Sequence, residues 1–339
     1  MKRIFCVILA FLYLVSARPW LGRYTAAFWG SFDTMIVITG YSSSQRQFDV
    51  AFTAAVSSFS ELGKYYDRFL QYDELVNIAY INKNGYGTAI KTDDRLYRLL
   101  KYGKAGVKRT NGLVNPMFGA VTSLWQREIA KNSGAMPPKI DMLKAKSEHT
   151  SSNLLLLNEK NRSVMLLSDK AVIDVGAFAK GYAIDEVSRT LSEAGISRAA
   201  ISAGGNIKVL EPPDGKTGWE IGVQNPDDTI FNGKSLERVV VNNCAIATSG
   251  DYQRFFQYEG KRYHHLIDPV TLYPAEHFRS VSVICKSAAD ADLFSSALFL
   301  TDLKCGSKIA RQNDLAVLWI DNDGKAIANQ KLNYLKNAK

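Results

Sequence analysis

Asp292 and Ser296 stand four positions apart in Ala291-Asp292-Leu293-Phe294-Ser295-Ser296-Ala297-Leu298, so on a helix their oxygens share one face. Hard oxygen donors of this kind suit Mg²⁺, but two are too few and a partner element must supply the rest. A solvated Asp beside a helix-packing Ser is the competing reading. A second candidate is Asp174-Val175-Gly176-Ala177-Phe178-Ala179-Lys180-Gly181. There a strand would end at Asp174 and a new helix would aim its free N–H groups at an anion such as a pyrophosphate. Lys180 lies one turn in, and the small Ala177 leaves its carbonyl open to a metal or ligand. The same residues also fit a plain helix start capped by Asp174.

The chain holds four His, and His264-His265 with Asp268 form its densest acid/base cluster. A strand sends neighbouring side chains to opposite faces, so at most one of the pair serves a given pocket and chelation by both is disfavoured. A neutral imidazole in a hydrogen-bonded core is the other reading. Two further segments carry little alone: the glycine turn Ser202-Ala203-Gly204-Gly205-Asn206, and the loop Thr110-Asn111-Gly112-Leu113-Val114-Asn115-Pro116.

These residues need elements to position them. Helical spacing of Phe52, Val56, Phe59 and Leu62 predicts a helix within 48–66, and a second is expected over 116–131. Strands are predicted over 154–157 and 163–175, with the turn at 159–161. A helix over 177–194 would bury Ala183, Ile184, Val187 and Leu191 and stop at Gly195. Strands over 199–202, 219–224, 239–247, 280–285 and 316–320, with a helix over 289–300, complete a mixed α/β (α+β) pattern. No repeat or long low-complexity linker divides it, so one domain with a mixed sheet flanked by helices is expected.

At 339 residues and 46% hydrophobic, the chain can bury a large core, and its net charge of +9 is scattered rather than bunched, which argues against nucleic acid as a partner. Cys6, Cys244, Cys285 and Cys305 show no metal-ligand spacing. Met1-Lys2-Arg3, an apolar run from Ile4 to Val15 and the small Ser16 and Ala17 read as a signal peptide or N-terminal anchor over 1–17, shorter than the roughly 20 residues of a membrane span. Residues 18–339 would then be the exported domain, associated with a membrane if the leader is kept.

Taken together and in order, these segments resemble the ApbE-type FAD:protein FMN transferases, from about residue 28 to 318. The stretches Trp29-Gly30-Ser31-Phe32-Asp33-Thr34 and Asp268-Pro269-Val270-Thr271-Leu272-Tyr273-Pro274-Ala275 look most like the exported Gram-positive subgroup, which flavinylates surface electron-transfer proteins. The resemblance implies a single flavin-binding domain that cleaves FAD at its pyrophosphate with Mg²⁺. FMN would pass to a Ser or Thr hydroxyl of an acceptor flavoprotein on the extracytoplasmic face of a bacterial membrane, releasing AMP.

Carried over by position, the resemblance makes Asp292 and Ser296 side-chain ligands of the metal and Ala177 its carbonyl ligand. Asp174, Lys180, Leu113, Val114, Asn115 and Leu266 fall at FAD-holding positions, and Trp29 stands where many members place a Met over the flavin. An indole can stack there. Asn115 replaces the usual Asp, Ser296 the common Thr, and Leu272 a Gly. His265 is the expected base for the acceptor hydroxyl, oriented by Asp268, while Lys180 adds positive charge at the reacting phosphate. The same pocket could hydrolyse FAD as a pyrophosphatase, or bind flavin without chemistry.

Overall fold

The computed structural model describes residues 21–131, 133–226 and 235–337; the leader expected over 1–17 lies outside them. Among the described residues, eight strands form one sheet. They are β1 (Gly22–Trp29), β2 (Met35–Ser42), β3 (Ala199–Ala203), β4 (Asn206–Val209), β5 (Cys244–Gly250), β6 (Ser280–Cys285), β7 (Ala316–Ile320) and β8 (Ala326–Ala328). Their order in space follows their order in the chain, and each neighbouring pair is antiparallel. The composition is the mixed α and β one expected, while the pairing within the sheet is antiparallel throughout. Each connection, hairpin or helical excursion, returns the chain the opposite way.

The β3–β4 connection shows why the glycine turn stands where it does. Ala203 pairs with Asn206, leaving Gly204 and Gly205 as a two-residue loop with φ of 56° and 89°. Two successive positive φ values are what a type I′ hairpin requires. A Cβ at Gly204 would also sit 2.7 Å from Thr34 Oγ1, so the turn presses on the β1–β2 connection.

Helices fill the excursions: α1 (Gln45–Tyr66), α2 (Asp94–Arg109), α3 (Gly119–Ile129), α4 (Ala179–Glu193) and α5 (Ala288–Phe299). Helix α1 turns Phe48, Ala51, Ala55, Phe59 and Leu62 to the core; of the predicted face Phe59 and Leu62 are buried, whereas Phe52 and Val56 are only half-buried at its edge. Helix α4 buries Ala183, Ile184, Val187 and Leu191 as expected, and Gly195 ends it with φ of 82°. Helix α5 is apolar nearly all round and lies inside the protein, a helix that other elements enclose. Asp292 is therefore 4% exposed, which removes the solvated-Asp reading.

The strand predicted over 163–175 stops at Leu166. Ser168 turns the chain there, its carbonyl accepting from Ala171 N and its hydroxyl from Lys170 N, and breaks one apolar run into two. Helix α4 accordingly follows an irregular segment, not a strand end. The strand predicted over 239–247 likewise divides at Asn243, whose φ of 45° is a turn conformation. Its first part, Ser235–Val241, pairs with Trp219–Gln224 outside the main sheet, and its second part is β5. Cys244 and Cys285 are half-buried free thiols, and Cys305 is an exposed one.

A candidate active site where two helices cross

The crossing of α4 and α5 is built by a cap and a close approach. The Asp185 carboxylate on α4 accepts from Ala288 N and Ala289 N at 3.0 Å each, from Ser287 Oγ at 2.7 Å and from Lys208 Nζ at 2.6 Å. It thus caps the N-terminus of α5 from the second turn of α4, and fixes the two helices to each other. One turn earlier, a Cβ at Gly181 would lie 2.1 Å from Ala288 O and 2.7 Å from Asp292 Cβ, so only glycine lets the helices meet this closely.

That contact decides where the polar atoms of α5 go. Asp292 Oδ2 accepts from Gly181 N at 2.9 Å, and Lys180 Nζ stands 3.7 Å from Asp292 Oδ1. Ser296 Oγ lies one turn on, 3.5 Å from the carbonyl oxygen of Ala177. Ala177, Lys180, Asp292 and Ser296 are thereby brought together, with the positive end of α4 already facing a carboxylate. Among the described residues no three His, Cys, Asp or Glu side chains gather. The donors here are instead one carboxylate, one hydroxyl and one carbonyl, hard oxygens that could hold a divalent cation such as Mg²⁺. Behind them Ser249 Oγ, from β5, lies 3.0 Å from Ser295 Oγ and 3.3 Å from Ser296 Oγ.

Asp174 is placed differently from either sequence reading. It does not cap α4, whose N-cap Phe178 has no side-chain partner. Its carboxylate pairs with Arg68 and accepts from Thr122 Oγ1 at 2.7 Å and Gly176 N at 2.9 Å, with Gln126 Nε2 at 3.5 Å. Burial alone would raise its pKa, but the Arg68 guanidinium and these hydrogen bonds hold it below the usual carboxylate range. These contacts hold the Ala177 segment against α3. Arg68 itself donates to Thr122 and Ser123. Nothing in its local sequence marks it for this role.

The two histidines separate as strand alternation requires. His264 is buried, with Nε2 donating to Ala275 O at 2.9 Å, Nδ1 accepting from Leu266 N at 3.2 Å, and its ring edge-on to Phe299. Burial foremost lowers its pKa. It is a core residue. His265 is half-buried, and its Nδ1 lies 3.3 Å from Arg254 O, so the proton sits on Nδ1 and Nε2 keeps the lone pair. Burial first, then His264, Arg254 and Lys180, push its pKa down to about 3. The expected pairing with Asp268 is not among the hydrogen bonds of the described residues. Asp268 Oδ1 instead accepts from Val270 N at 2.8 Å and its carbonyl from Leu272 N, closing the 268–273 turn. In that turn Leu272 has φ of 64°, a left-handed conformation that favours glycine.

The remaining positions are shaped by backbone. Thr110 Oγ1 accepts from Val114 N, while Asn115 Oδ1 accepts from Met117 N and its Nδ2 donates to Thr150 O, fixing the 110–116 loop. Leu113 packs at the edge of the same apolar cluster that contains Leu266. Trp29 is 74% exposed at the end of β1, directly opposite Met35, itself 53% exposed. An indole and a thioether thus stand open side by side, a surface suited to a flat ring. Sequence reasoning also missed the ion pair of Arg109 with Asp290, joined by Tyr102 OH, which ties α2 to the first turn of α5.

Residues 32–319 match the ApbE family. The FAD:protein FMN transferase of Treponema pallidum is 28% identical over 69% of this chain and 67% of that protein. That of Klebsiella pneumoniae is 30% identical over 65% and 66%, so the matched stretch spans about two thirds of these relatives' length. The crystal structure of the ApbE protein of Thermotoga maritima superposes with a TM-score of 0.82 at 26% identity, covering 93% of this chain and all of that one. The Pseudomonas stutzeri flavinyl transferase ApbE gives 0.79 at 20% identity and supports the fold alone. With a family match running from the first hairpin to β7, this chain belongs to the ApbE family, a family of flavin transferases.

Proposed function

We propose that this chain transfers FMN from FAD to a Ser or Thr hydroxyl of an acceptor protein, with Mg²⁺ held by Asp292, Ser296 and the Ala177 carbonyl. The observation that carries this reading is the convergence of those three oxygens beside Lys180. Bound there, Mg²⁺ would supply Lewis-acid stabilisation of charge on the diphosphate. Lys180 adds a positive charge on the same side, and Trp29 and Met35 offer the flavin a face to lie on.

The reaction breaks the P–O–P bridge of FAD and forms an ester between the FMN phosphorus and the acceptor oxygen, with AMP as leaving group. The hydroxyl proton goes to His265 Nε2, the nitrogen left free by the Arg254 contact. An imidazole with so low a pKa is neutral and ready to accept, but weakly basic. A negative diphosphate bound nearby would offset the Lys180 and Arg254 charges that depress it and so raise its basicity.

Incubation with FAD, Mg²⁺ and an acceptor domain, followed by mass spectrometry, tests this reading. An FMN adduct on Ser or Thr with AMP release is the expected result; AMP and free FMN without adduct would favour hydrolysis, and intact FAD would favour binding alone. Among the described residues no helix is long and apolar enough to cross a membrane. The leader at 1–17 and the likeness of the 29–34 and 268–275 stretches to the Gram-positive subgroup carry the proposal that enzyme and acceptor meet outside the cytoplasm. Fractionation of the parent and a 1–17 deletion checks it.

A further inference from the structure

The hydroxyls behind the helix crossing have only one consistent arrangement of protons once a cation is bound. Ser249, Ser295 and Ser296 are all buried, at 8%, 0% and 5% exposure, so bulk water does not satisfy them. Ser295 Oγ lies 3.0 Å from the carbonyl of Asp292, which can only accept, and its single proton is spent there. In the 3.0 Å contact between Ser249 and Ser295, Ser249 must therefore donate. With that proton used, Ser249 can only accept from Ser296, 3.3 Å away.

Among the described residues Ser296 has one other partner, the Ala177 carbonyl at 3.5 Å, at the limit of a hydrogen bond. A cation held by both Ser296 Oγ and that carbonyl repels a proton pointed from one oxygen to the other, and the Ser296 proton then has Ser249 to go to. We propose that Ser249 is a positioning residue: the chain Ser296 to Ser249 to Ser295 to the Asp292 carbonyl turns the Ser296 lone pairs toward the cation. The donor chain starts and ends on residues that flank the same cation, so it also ties the backbone of Asp292 to the orientation of its fellow ligand. Ligand-orienting partners of this kind are typically worth tenfold to a hundredfold in metal affinity. This inference rests on the reading of Asp292 and Ser296 as cation ligands.

The test is titration of the whole flavin-free protein with Mn²⁺ alone, read by electron paramagnetic resonance, in the parent, Ser249→Ala, Ser249→Thr and Asp292→Ala. Ser249→Ala should bind Mn²⁺ about tenfold to a hundredfold more weakly, and Ser249→Thr, which keeps the hydroxyl, should recover most of that. Cation-free melting temperatures report whether the variants stay folded. Parent affinity in Ser249→Ala, with Asp292→Ala impaired, overturns the role of Ser249 and leaves the cation site standing. Equal losses in Ser249→Ala and Ser249→Thr also overturn it, because packing and not the hydroxyl would then be at work. Failure of the parent to bind Mn²⁺ overturns the cation site itself, and this inference with it.

Discussion

Gly181 N donates to Asp292 Oδ2 at 2.9 Å, and no side chain fits at 181, because its Cβ would fall 2.1 Å from the Ala288 carbonyl. The hydrogen bond and the missing side chain are one device: α5 can bring a carboxylate to the first turn of α4 only by passing where a Cβ would be. The buried Asp292 is offset there by an amide and a helix dipole in place of water.

Gly181→Ala separates this account from ordinary helix propensity. In an exposed helix the change would stabilise by about 1 kcal/mol. Here it should destabilise by roughly 1–3 kcal/mol or more, as overpacking against backbone does. Urea unfolding at neutral pH gives the sign directly, and a gain in stability would refute the close approach.

The Asp174–Arg68 pair should behave as a buried ion pair. Its side chains are 11% and 9% exposed. Asp174→Ala leaves the guanidinium buried and unpaired, with an expected cost of about 3–5 kcal/mol. Because the folded pKa of Asp174 lies below its unfolded value, its contribution is full above about pH 4 and fades as pH falls through the folded pKa. The parent and Asp174→Ala should therefore converge in stability as the solution is acidified, which chemical denaturation at stepped pH would measure.

What the sequence made legible followed from local periodicity. The buried face of α4 and the length of α5 are helical patterns, and the Gly204-Gly205 turn is a backbone requirement written in residue type. The convergence of Ala177, Asp292 and Ser296 came from family resemblance, since nothing near residue 292 indicates residue 177. What stayed hidden was settled by tertiary contact. Arg68 reaches Asp174, and Asp185 caps a helix a hundred residues on, through interactions that leave no mark on their neighbours. The hairpin of β1 and β2 escaped because Gly22–Trp29 alternates in burial with only weak alternation in polarity.

Asp292→Asn keeps the size and one oxygen of the side chain but removes its charge. If Asp292 holds a cation in the transition state, flavin transfer at saturating FAD should fall by at least about a hundredfold, the scale on which a lost electrostatic contact slows an enzyme. Higher Mg²⁺ should recover part of the loss, since the remaining oxygens still bind. In-gel flavin fluorescence of the acceptor measures the rate, and undiminished transfer would remove Asp292 from the site.

His265→Ala tests chemistry and linkage together. The folded pKa of His265, at about 3, lies below that of an unfolded histidine, so between these values the unfolded chain takes up a proton that the folded one refuses. Stability must then fall as pH drops from about 6.5 toward 3, and His265→Ala should flatten that part of the profile, leaving the slope due to His264. The same variant should bind FAD normally yet transfer FMN about a hundredfold or more slowly, the usual contribution of a positioned base. Loss of FAD binding with an unchanged stability profile would mean that the imidazole holds the ligand and takes no proton.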